Sequence, residues 1–165
     1  MKFRLQIATA DDVTELVVLR NAVSQHLTSR YGRGQWSLNT TDKGVLFSMK
    51  MGTIYVARLR NMLIATLTLS TRKPWAIDKS YFSKSKSPLY LTSMAVSPEH
   101  QRQKIGRLCL KQAQKIAREW PSDAIRLDAY DADAGGGEFY QKCGFREVGR
   151  AKYRDNPLIY FEMLL

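Results

Sequence analysis

Residues 94 to 107 read MAVSPEHQRQKIGR and pass from an apolar strand, through a polar turn, into an amphipathic helix. The first backbone N–H groups of a helix have no partners within it, and the helix dipole makes this end positive. Four side chains of the turn are cationic or can donate hydrogen bonds, namely Gln101, Arg102, Gln103 and Lys104. The stretch therefore predicts an anion-binding junction of strand and helix that suits a pyrophosphate.

Gly106 lies in the first turn of this predicted helix, at a position where the surrounding pattern would accept alanine. A glycine has no side chain that could hold a ligand away from the backbone. We therefore expect phosphate oxygens to come close to the helix start here. Ile105 and Arg107 flank the glycine and complete the predicted binding segment, residues 101–107.

A second motif, EFYQKCGF, occupies residues 138 to 145. Residues 101–107 resemble the acetyl-coenzyme A (acetyl-CoA) pyrophosphate loop of the GNAT superfamily of N-acetyltransferases, whose usual form is Gln/Arg-x-x-Gly-x-Gly/Ala. Residues 138–145 resemble the Phe-Tyr-x-x-x-Gly-Phe element of the same family. The two motifs occur in the family's order, and the resemblance extends from about Ile54 to Leu165. It implies an acetyl-CoA-dependent N-acetyltransferase.

Lys104 departs from the family pattern, because it stands where the loop usually has its first glycine. A residue other than glycine loses backbone freedom at such a position if the position needs a positive φ. A cation beside a diphosphate would offset this loss by electrostatic attraction.

The bulk properties suit a compact enzyme. The length of 165 residues is enough for one domain, residues 1–165, with a proper core. No apolar run approaches the roughly 20 residues needed to span a bilayer, and the N-terminus leads into an alternating strand instead of an apolar signal segment. We therefore expect a cytoplasmic protein, monomeric or homodimeric, without a membrane partner.

The charge and the cysteines exclude other classes of function. The net charge of +11 is spread over nearly all predicted elements and comes with no nucleic-acid-binding motif, so we expect no nucleic-acid partner. Cys109 and Cys143 lie on predicted helices, and neither has a Cys or His nearby at metal-like spacing. We expect free thiols and no metal.

Alternating and helical apolar patterns predict the order of elements. The predicted fold is a mixed α/β (α+β) fold with helices on both faces of a central, mostly antiparallel sheet, and the GNAT resemblance implies the same order. The resemblance also implies that the strands at 89–96 and 124–130 splay apart to admit the cofactor. Strands are predicted at 2–8, 53–59, 62–71, 89–96, 124–130, 146–153 and 158–165, and helices at about 9–29, 104–119 and 134–143, with room for one more helix before residue 53.

The resemblance also assigns roles at the reacting centre. It implies that the backbone of Met94, Ala95 and Val96 meets the pantetheine arm and the thioester carbonyl. Tyr140 matches the family's tyrosine beside the cofactor sulfur, and its phenol, with a pKa of about 10, can protonate a thiolate whose thiol has a pKa of about 8.5. Asp133 precedes it by seven residues. This aspartate either contacts the cofactor or caps the helix that carries Tyr140.

The general base is the least determined residue. Many relatives have a glutamate on the strand before the pyrophosphate loop, but the corresponding positions here are Thr92 and Ser93, which are not bases at neutral pH. Deprotonation of the amine would then use ordered water or a carboxylate from elsewhere. The candidates are Asp131, placed first because it falls at the mouth of its strand, then Asp128 and Glu138; His100 lies in the phosphate turn, away from the acyl end.

Two predicted loops, residues 29–41 and 72–88, would frame the acceptor. Their aromatic side chains suit an amine with an apolar or cationic body. The predicted function is transfer of the acetyl group to the primary amine of a small molecule, by direct attack in a ternary complex. The alternatives are a protein or peptide N-acetyltransferase with an open groove, a non-catalytic acyl-CoA-binding module, and a nucleic-acid-binding protein. The predicted substrate-binding residues are Tyr31, Trp36, Trp75 and Tyr81.

Overall fold

The computed structural model describes residues 3–165. Within this range, strands and helices follow one another in the predicted order, with short 3-10 turns between some of them. The first residue of the predicted strand at 2–8, Lys2, lies outside the described residues. The elements are β1 (Leu5–Ile7), α1 (Val13–Tyr31), α2 (Asp42–Met51), β2 (Thr53–Leu59), β3 (Met62–Ser70), β4 (Pro88–Val96), α3 (Ile105–Glu119), β5 (Ala124–Tyr130), α4 (Gly137–Lys142), β6 (Arg146–Tyr153) and β7 (Asn156–Leu164).

The strands form a seven-stranded sheet in the order β1-β2-β3-β4-β5-β7-β6. The β4–β5 pair is parallel and the other neighbouring pairs are antiparallel. Helices α1 and α2 pack on one face of the sheet, against Ile54 and Val56. Helix α3 and the aromatic residues of α4 pack on the other face, against Leu67 and Leu127. The predicted mixed sheet with helices on both faces is therefore confirmed.

Tight turns explain two of the hairpins. Arg60 and Asn61, between β2 and β3, have φ values of 49° and 68°. Arg154 and Asp155, between β6 and β7, have φ values of 48° and 64°. Two consecutive residues with positive φ form the turn whose twist matches that of the flanking strands. Because the second turn is so short, β7 begins at residue 156, two residues before the predicted start at 158.

Helix α3 holds the predicted anion-binding segment in place through a buried apolar stripe. Its buried side chains recur at helical spacing, and its polar side chains face solvent. Burial raises the pKa of the Cys109 thiol to about 12, so this thiol stays protonated and unreactive. The buried residues of α3 are Ile105, Cys109, Leu110, Ala113 and Ala117.

The face of the sheet that carries α1 and α2 has two separate apolar clusters. One lies under the helices and contains Leu16, Ile54 and Val56. The other contains Tyr90 and Tyr160 and lies under the loop between β3 and β4. Between the two clusters, this face carries residues from the ends of β4 and β5. We call the face of the sheet that carries α1 and α2 the α1 face, and the opposite face the α3 face.

Candidate active site

The sheet opens between β4 and β5. The two strands pair from Pro88 with Ala124 to Tyr90 with Arg126. Beyond these residues β4 remains paired with β3, while β5 remains paired with β7 as far as Tyr130. A wedge therefore separates the remaining parts of the two strands. The predicted splayed strand pair is confirmed.

A bulge in β4 lies at the open end of this wedge. Thr92 faces Thr68 on β3, and Ala95 faces Thr66, so Ser93 and Met94 together oppose the single residue Leu67. Ser93 has a φ of 51°. A bulge releases the backbone of its extra residue from the ladder and bends the strand. Backbone groups of β4 next to the wedge are thus free for a ligand, at positions that include the predicted Met94.

The start of α3 presents a run of free backbone donors. Arg102 and Lys104 both adopt left-handed conformations, with φ values of 60° and 65°. Within residues 3–165, no protein acceptor receives the N–H group of any residue from 102 to 107. Successive N–H groups in such a loop and helix start form a concave site for an anion. Arg102, Lys104 and Arg107 are exposed around it.

Two predicted donor side chains of this loop turn back onto the protein. The Nε2 atom of Gln101 donates to the Val96 carbonyl at 3.1 Å, and the Nε2 atom of Gln103 donates to the Glu99 carbonyl at 3.1 Å. These bonds hold the turn in shape. The structure therefore favours binding through the backbone of the loop and its three cations.

Gly106 has a packing role in addition to the predicted one. A Cβ atom at this position would lie 2.9 Å from Cζ of Phe139 and 3.4 Å from Cε of Met94. The first of these distances is shorter than real Cβ contacts. The glycine lets α3 approach the aromatic residues of α4, so a larger residue here would disturb packing as well as phosphate binding.

Lys104 adopts a left-handed backbone conformation, which is strained for a residue other than glycine. A left-handed conformation costs a residue with a side chain roughly 1–2 kcal/mol. We expect Lys104→Gly to leave the free energy of unfolding unchanged or raise it by up to about 1 kcal/mol. The same change should weaken coenzyme A binding by less than about 10-fold and reduce its salt dependence, because one cation is lost.

Lys104→Ala is the matched control, since it removes the charge but keeps the unfavourable φ. Chemical denaturation and calorimetric titration at two salt concentrations measure both effects. A Lys104→Gly protein less stable than the Lys104→Ala protein would contradict the assignment of strain to this position.

Tyr140 lies against the wedge from the α3 face. Its ring packs edge-on against Phe139 and Phe145, with centroid distances of 5.3 and 5.7 Å. Within residues 3–165 its hydroxyl has no hydrogen-bond partner. Burial, together with the negative charges of Asp128 and Cys143, raises the pKa of the Tyr140 phenol above its usual 10. The hydroxyl thus remains protonated and is free to donate to a ligand.

Asp128 lies on β5, two residues beyond the last pair with β4 and on the α1 face of the sheet. Burial raises the pKa of its carboxyl group above the usual 3.8. Its negative charge contributes to the raised pKa of Tyr140. A desolvated carboxylate of this kind has the properties of a general base.

The other predicted bases are differently placed. The carboxylate of Asp131 forms an ion pair with Arg150 at 3.0 Å. Glu138 is highly exposed and pairs with Lys142 at 2.9 Å. His100 ends the 3-10 turn after β4, and its Nδ1 atom is buried without a partner. Asp128 is thus the candidate carboxylate that is half-buried and has no ion-pair partner among the described residues.

The cap predicted for Asp133 is wrong. Helix α4 begins at Gly137, and its N-cap is Gly136; Asp133 is exposed and lies outside the helix. The chain between β5 and α4 turns tightly at Gly135, where a Cβ atom would lie 1.9 Å from the Tyr130 carbonyl oxygen. This close approach delays the start of the helix by three residues from the predicted 134. Contact of Asp133 with the cofactor stays a prediction.

The four predicted substrate-binding aromatics do not meet in one place. Trp36 packs edge-on against Tyr130, at the open end of β5, with a centroid distance of 5.8 Å. Tyr81 packs on Tyr160 instead, at 5.3 Å, over the second cluster of the α1 face. Trp75 is 89% exposed, and Tyr31 is exposed at the end of α1. Trp36 is therefore the predicted aromatic that lies at the wedge, and Tyr130 is an additional one.

A shallow groove lies beside the anion site, between α3 and α4. Its volume is about 190 Å³. Three of its lining side chains are cationic: Arg107, Lys111 and Lys142. The positive surface of the α3 start therefore continues along the outside of the molecule.

The described residues contain neither a membrane-spanning helix nor a cluster of metal ligands. No helix among residues 3–165 is long and apolar enough to cross a membrane. In the same part of the chain, no group of three or more His, Cys, Asp or Glu side chains is arranged to hold a metal ion.

The sheet opens beside a helix start with free backbone donors, and comparison of the sequence identifies the family of the protein. Residues 20–145 match the family model described as "Acetyltransferase (GNAT) family". This match spans well over half of the chain. The protein therefore belongs to the GNAT acetyltransferase family.

Individual relatives are more distant. The chain is 33% identical over 72 residues to glucosamine 6-phosphate N-acetyltransferase of Schizosaccharomyces pombe, and the match covers 42% of this chain and 62% of that protein. Less than two thirds of this relative is therefore matched. The fold is close to that of an aminoglycoside acetyltransferase in complex with coenzyme A, with a TM-score of 0.77 at 15% identity over 99% of this chain and 95% of the other. It also resembles a ribosomal-protein-alanine N-acetyltransferase from Brucella melitensis, with a TM-score of 0.72 at 16% identity over 98% and 99%.

Proposed function

We propose that this protein transfers the acetyl group of acetyl-CoA to the primary amine of a small molecule, by direct attack in a ternary complex. The observation that carries this proposal is the arrangement of polar groups around the wedge. The anion-binding helix start and Tyr140 approach it from the α3 face, whereas Asp128 approaches it from the α1 face. Donor and acceptor therefore have separate entrances to one opening in the sheet.

Coenzyme A fits the α3 side of this opening. Its pyrophosphate would accept hydrogen bonds from the free N–H groups of residues 102–107, and the three loop cations would neutralise it. The cationic groove between α3 and α4 would accommodate more of its phosphorylated end. The free backbone at the β4 bulge would hold the pantetheine arm and the thioester. Acetyl-CoA supplies the activated acetyl group in this arrangement.

Tyr140 serves as the general acid in the proposal. When the acceptor nitrogen bonds to the carbonyl carbon, the C–S bond breaks and the sulfur needs a proton. The Tyr140 hydroxyl is unpaired, and its raised pKa keeps it protonated until that moment. It gives its proton to the departing sulfur and recovers one from solvent.

Asp128 serves as the general base, in place of the more exposed Asp131. The amine nitrogen must lose a proton as the new C–N bond forms, and a base with a raised pKa accepts it efficiently near neutral pH. Asp128 lies on the side from which the acceptor would enter. On β4, Thr92 and Ser93 stand at the positions of the usual family glutamate and cannot act as a base. Asp128, on the neighbouring strand β5, would supply the missing carboxylate.

The aromatic residues at the open end of β5 support a small acceptor. Trp36 and Tyr130 pack together at the open end of β5, held in place by the bond from the Ser24 hydroxyl to the Trp36 carbonyl at 2.7 Å. Aromatic walls suit a compact ligand better than an extended peptide. The partial match to a glucosamine 6-phosphate acetyltransferase is consistent with this, whereas the ribosomal-protein acetyltransferase shares the fold alone.

A thiol-release assay with acetyl-CoA tests the proposal. We expect turnover with small primary amines that exceeds turnover with peptides, and stabilisation by coenzyme A of about 2.7 kcal/mol at 100 times its dissociation constant. Faster turnover of peptide N-termini would reassign the acceptor class. Stabilisation without thiol release from any amine would indicate a non-catalytic binding module, and no stabilisation would contradict the assignment of residues 102–107.

A further inference from the structure

Arg20, in the middle of α1, is a half-buried cation without a counter-ion among the described residues. Its Nε and Nη2 atoms have no contact with solvent and no hydrogen-bond partner. Within residues 3–165, no carboxylate forms an ion pair with it. Burial lowers the pKa of its guanidinium, but an arginine stays charged at any physiological pH. Burying an unpaired charge is costly, so its retention calls for a function.

The protein's own carboxylates do not neutralise this charge. The acidic residues nearest in sequence, Asp12 and Glu15, both pair with Arg58 on β2. Asp131 pairs with Arg150. Asp128 is unpaired, but its raised pKa results from burial and includes no effect of Arg20. Among the described residues, none of these carboxylates is a counter-ion of Arg20, which leaves its Nε and Nη2 atoms available to an anion from outside the chain.

The position of Arg20 on α1 points to the acceptor side of the wedge. Residues four apart lie on the same face of a helix, so Leu16, Arg20 and Ser24 form one row. Leu16, at one end of the row, is fully buried on the α1 face of the sheet. Ser24, at the other end, bonds to Trp36, which packs on Tyr130 at the wedge.

The sheet beneath this part of α1 is polar. Helix α1 contacts β3 and β4. On these strands Thr68 faces Thr92 across the ladder, at the level where the wedge opens. The Thr68 hydroxyl is buried and, like Arg20, has no partner. An unsatisfied hydroxyl on the sheet, from Thr68, thus lies on the face that α1 covers, and α1 itself carries the unsatisfied Arg20.

We infer that Arg20 binds an oxyanion, a carboxylate or a phosphate group, carried by the acceptor amine. This inference rests on the proposed function and narrows its acceptor to an anionic primary amine. The planar guanidinium can donate two parallel hydrogen bonds to such a group, and the Thr68 hydroxyl can supply another. The amine end of the same molecule would reach Asp128.

Matched pairs of amines test the inference and separate the two kinds of oxyanion. One arm compares glucosamine 6-phosphate and phosphoethanolamine with glucosamine and ethanolamine. The other arm compares amino acids with their amides. We expect Arg20→Gln to lower kcat/KM for the preferred anionic amine about 10 to 100-fold, and for its neutral counterpart less than about 3-fold. Arg30→Gln, at an exposed arginine of the same helix, controls for the loss of net charge and should change neither value.

Stability provides a second readout that does not depend on turnover. If the Arg20 charge is unpaired in the free protein, Arg20→Leu should melt at the same temperature as the wild type or higher. The preferred anionic amine should stabilise the wild type but not the Arg20→Leu protein. A lower melting temperature of Arg20→Leu, or equal losses for charged and neutral amines with Arg20→Gln, would overturn the inference.

Failure of the proposed function would look different. If no amine is acetylated but calorimetry shows Arg20-dependent binding of a phosphorylated or carboxylated amine, the inferred anion site is supported and the proposed reaction is contradicted. If amines are acetylated without any preference for an anionic group, the proposed reaction is supported and the inferred anion site is contradicted.

Discussion

Asp128→Asn is expected to lower kcat/KM for the acceptor about 100 to 10,000-fold while making the protein more stable at neutral pH. The loss follows from removal of the general base, whose usual contribution has this size. The gain follows from the raised pKa of the buried carboxyl group, because folding then has to bury a charge that the amide does not carry. A residue that is merely structural would not produce opposite effects on activity and stability.

The pH dependence of this stability difference has a definite sign. A carboxyl group with a raised pKa binds more protons in the folded state than in the unfolded state, so its contribution to stability falls as the pH rises above 3.8. The wild type and Asp128→Asn should therefore converge in melting temperature as the pH falls toward this value. The acid limb of kcat/KM, set by Asp128 in the wild type, should disappear from the residual activity of the variant.

Asp131→Asn is the discriminating comparison. Its carboxylate pairs with Arg150 near the surface, so we expect a loss of stability of no more than about 1 kcal/mol. Melting curves and steady-state kinetics of both variants decide between the two aspartates. A larger loss of kcat/KM in Asp131→Asn than in Asp128→Asn would return the role of base to Asp131.

Tyr140→Phe is expected to lower kcat about 10 to 1,000-fold with little change in acetyl-CoA affinity. The hydroxyl would act on the departing sulfur in the transition state and contribute little to binding of the phosphates. Because the hydroxyl makes no hydrogen bond to residues 3–165, its removal leaves no buried partner unsatisfied. The melting temperature should therefore stay within a few degrees of the wild type.

The raised pKa of Tyr140 also predicts the alkaline side of the pH profile. The phenol remains protonated beyond its usual pKa of 10, so the rate should rise with pH as the acceptor amine becomes neutral and show no decline below that value. Tyr153→Phe, on the outer strand β6, is a matched control that should keep full activity. Full activity in Tyr140→Phe would instead remove the tyrosine from the mechanism.

Local patterns were enough to predict most of the fold. The β-rich runs of β2 and β3, with the hairpin signal between them, and the apolar stripe of α3 are local features, so the bounds of these elements were predicted to within a residue or two. The first helix was predicted as far as residue 29 and extends to Tyr31. Helix α4 was predicted less well, because the approach of Gly135 to the Tyr130 carbonyl involves the end of another element.

The candidate site was predictable where one short segment forms it. Residues 102–107 form one loop and helix start whose backbone N–H groups are free, so the sequence was enough to predict an anion site there. The choice between Asp128 and Asp131 was not accessible in this way. It depends on Arg150, 19 residues further along the chain, which neutralises one carboxylate and leaves the other buried alone.

The surroundings of Arg20 were likewise not predictable from the sequence. The apolar spacing of α1 indicates Val13, Leu16 and Leu19 as buried, which the structure confirms, but it does not indicate the surroundings of a polar residue next to them. By itself the sequence determined the order of the elements and the strand-to-helix junction at residues 94–107, because periodicity and hydrogen bonding within a segment specify them. Only the tertiary structure decided which charged groups have a partner and which do not. The pKa of a carboxyl group and the partner of a guanidinium depend on residues that come from distant parts of the chain.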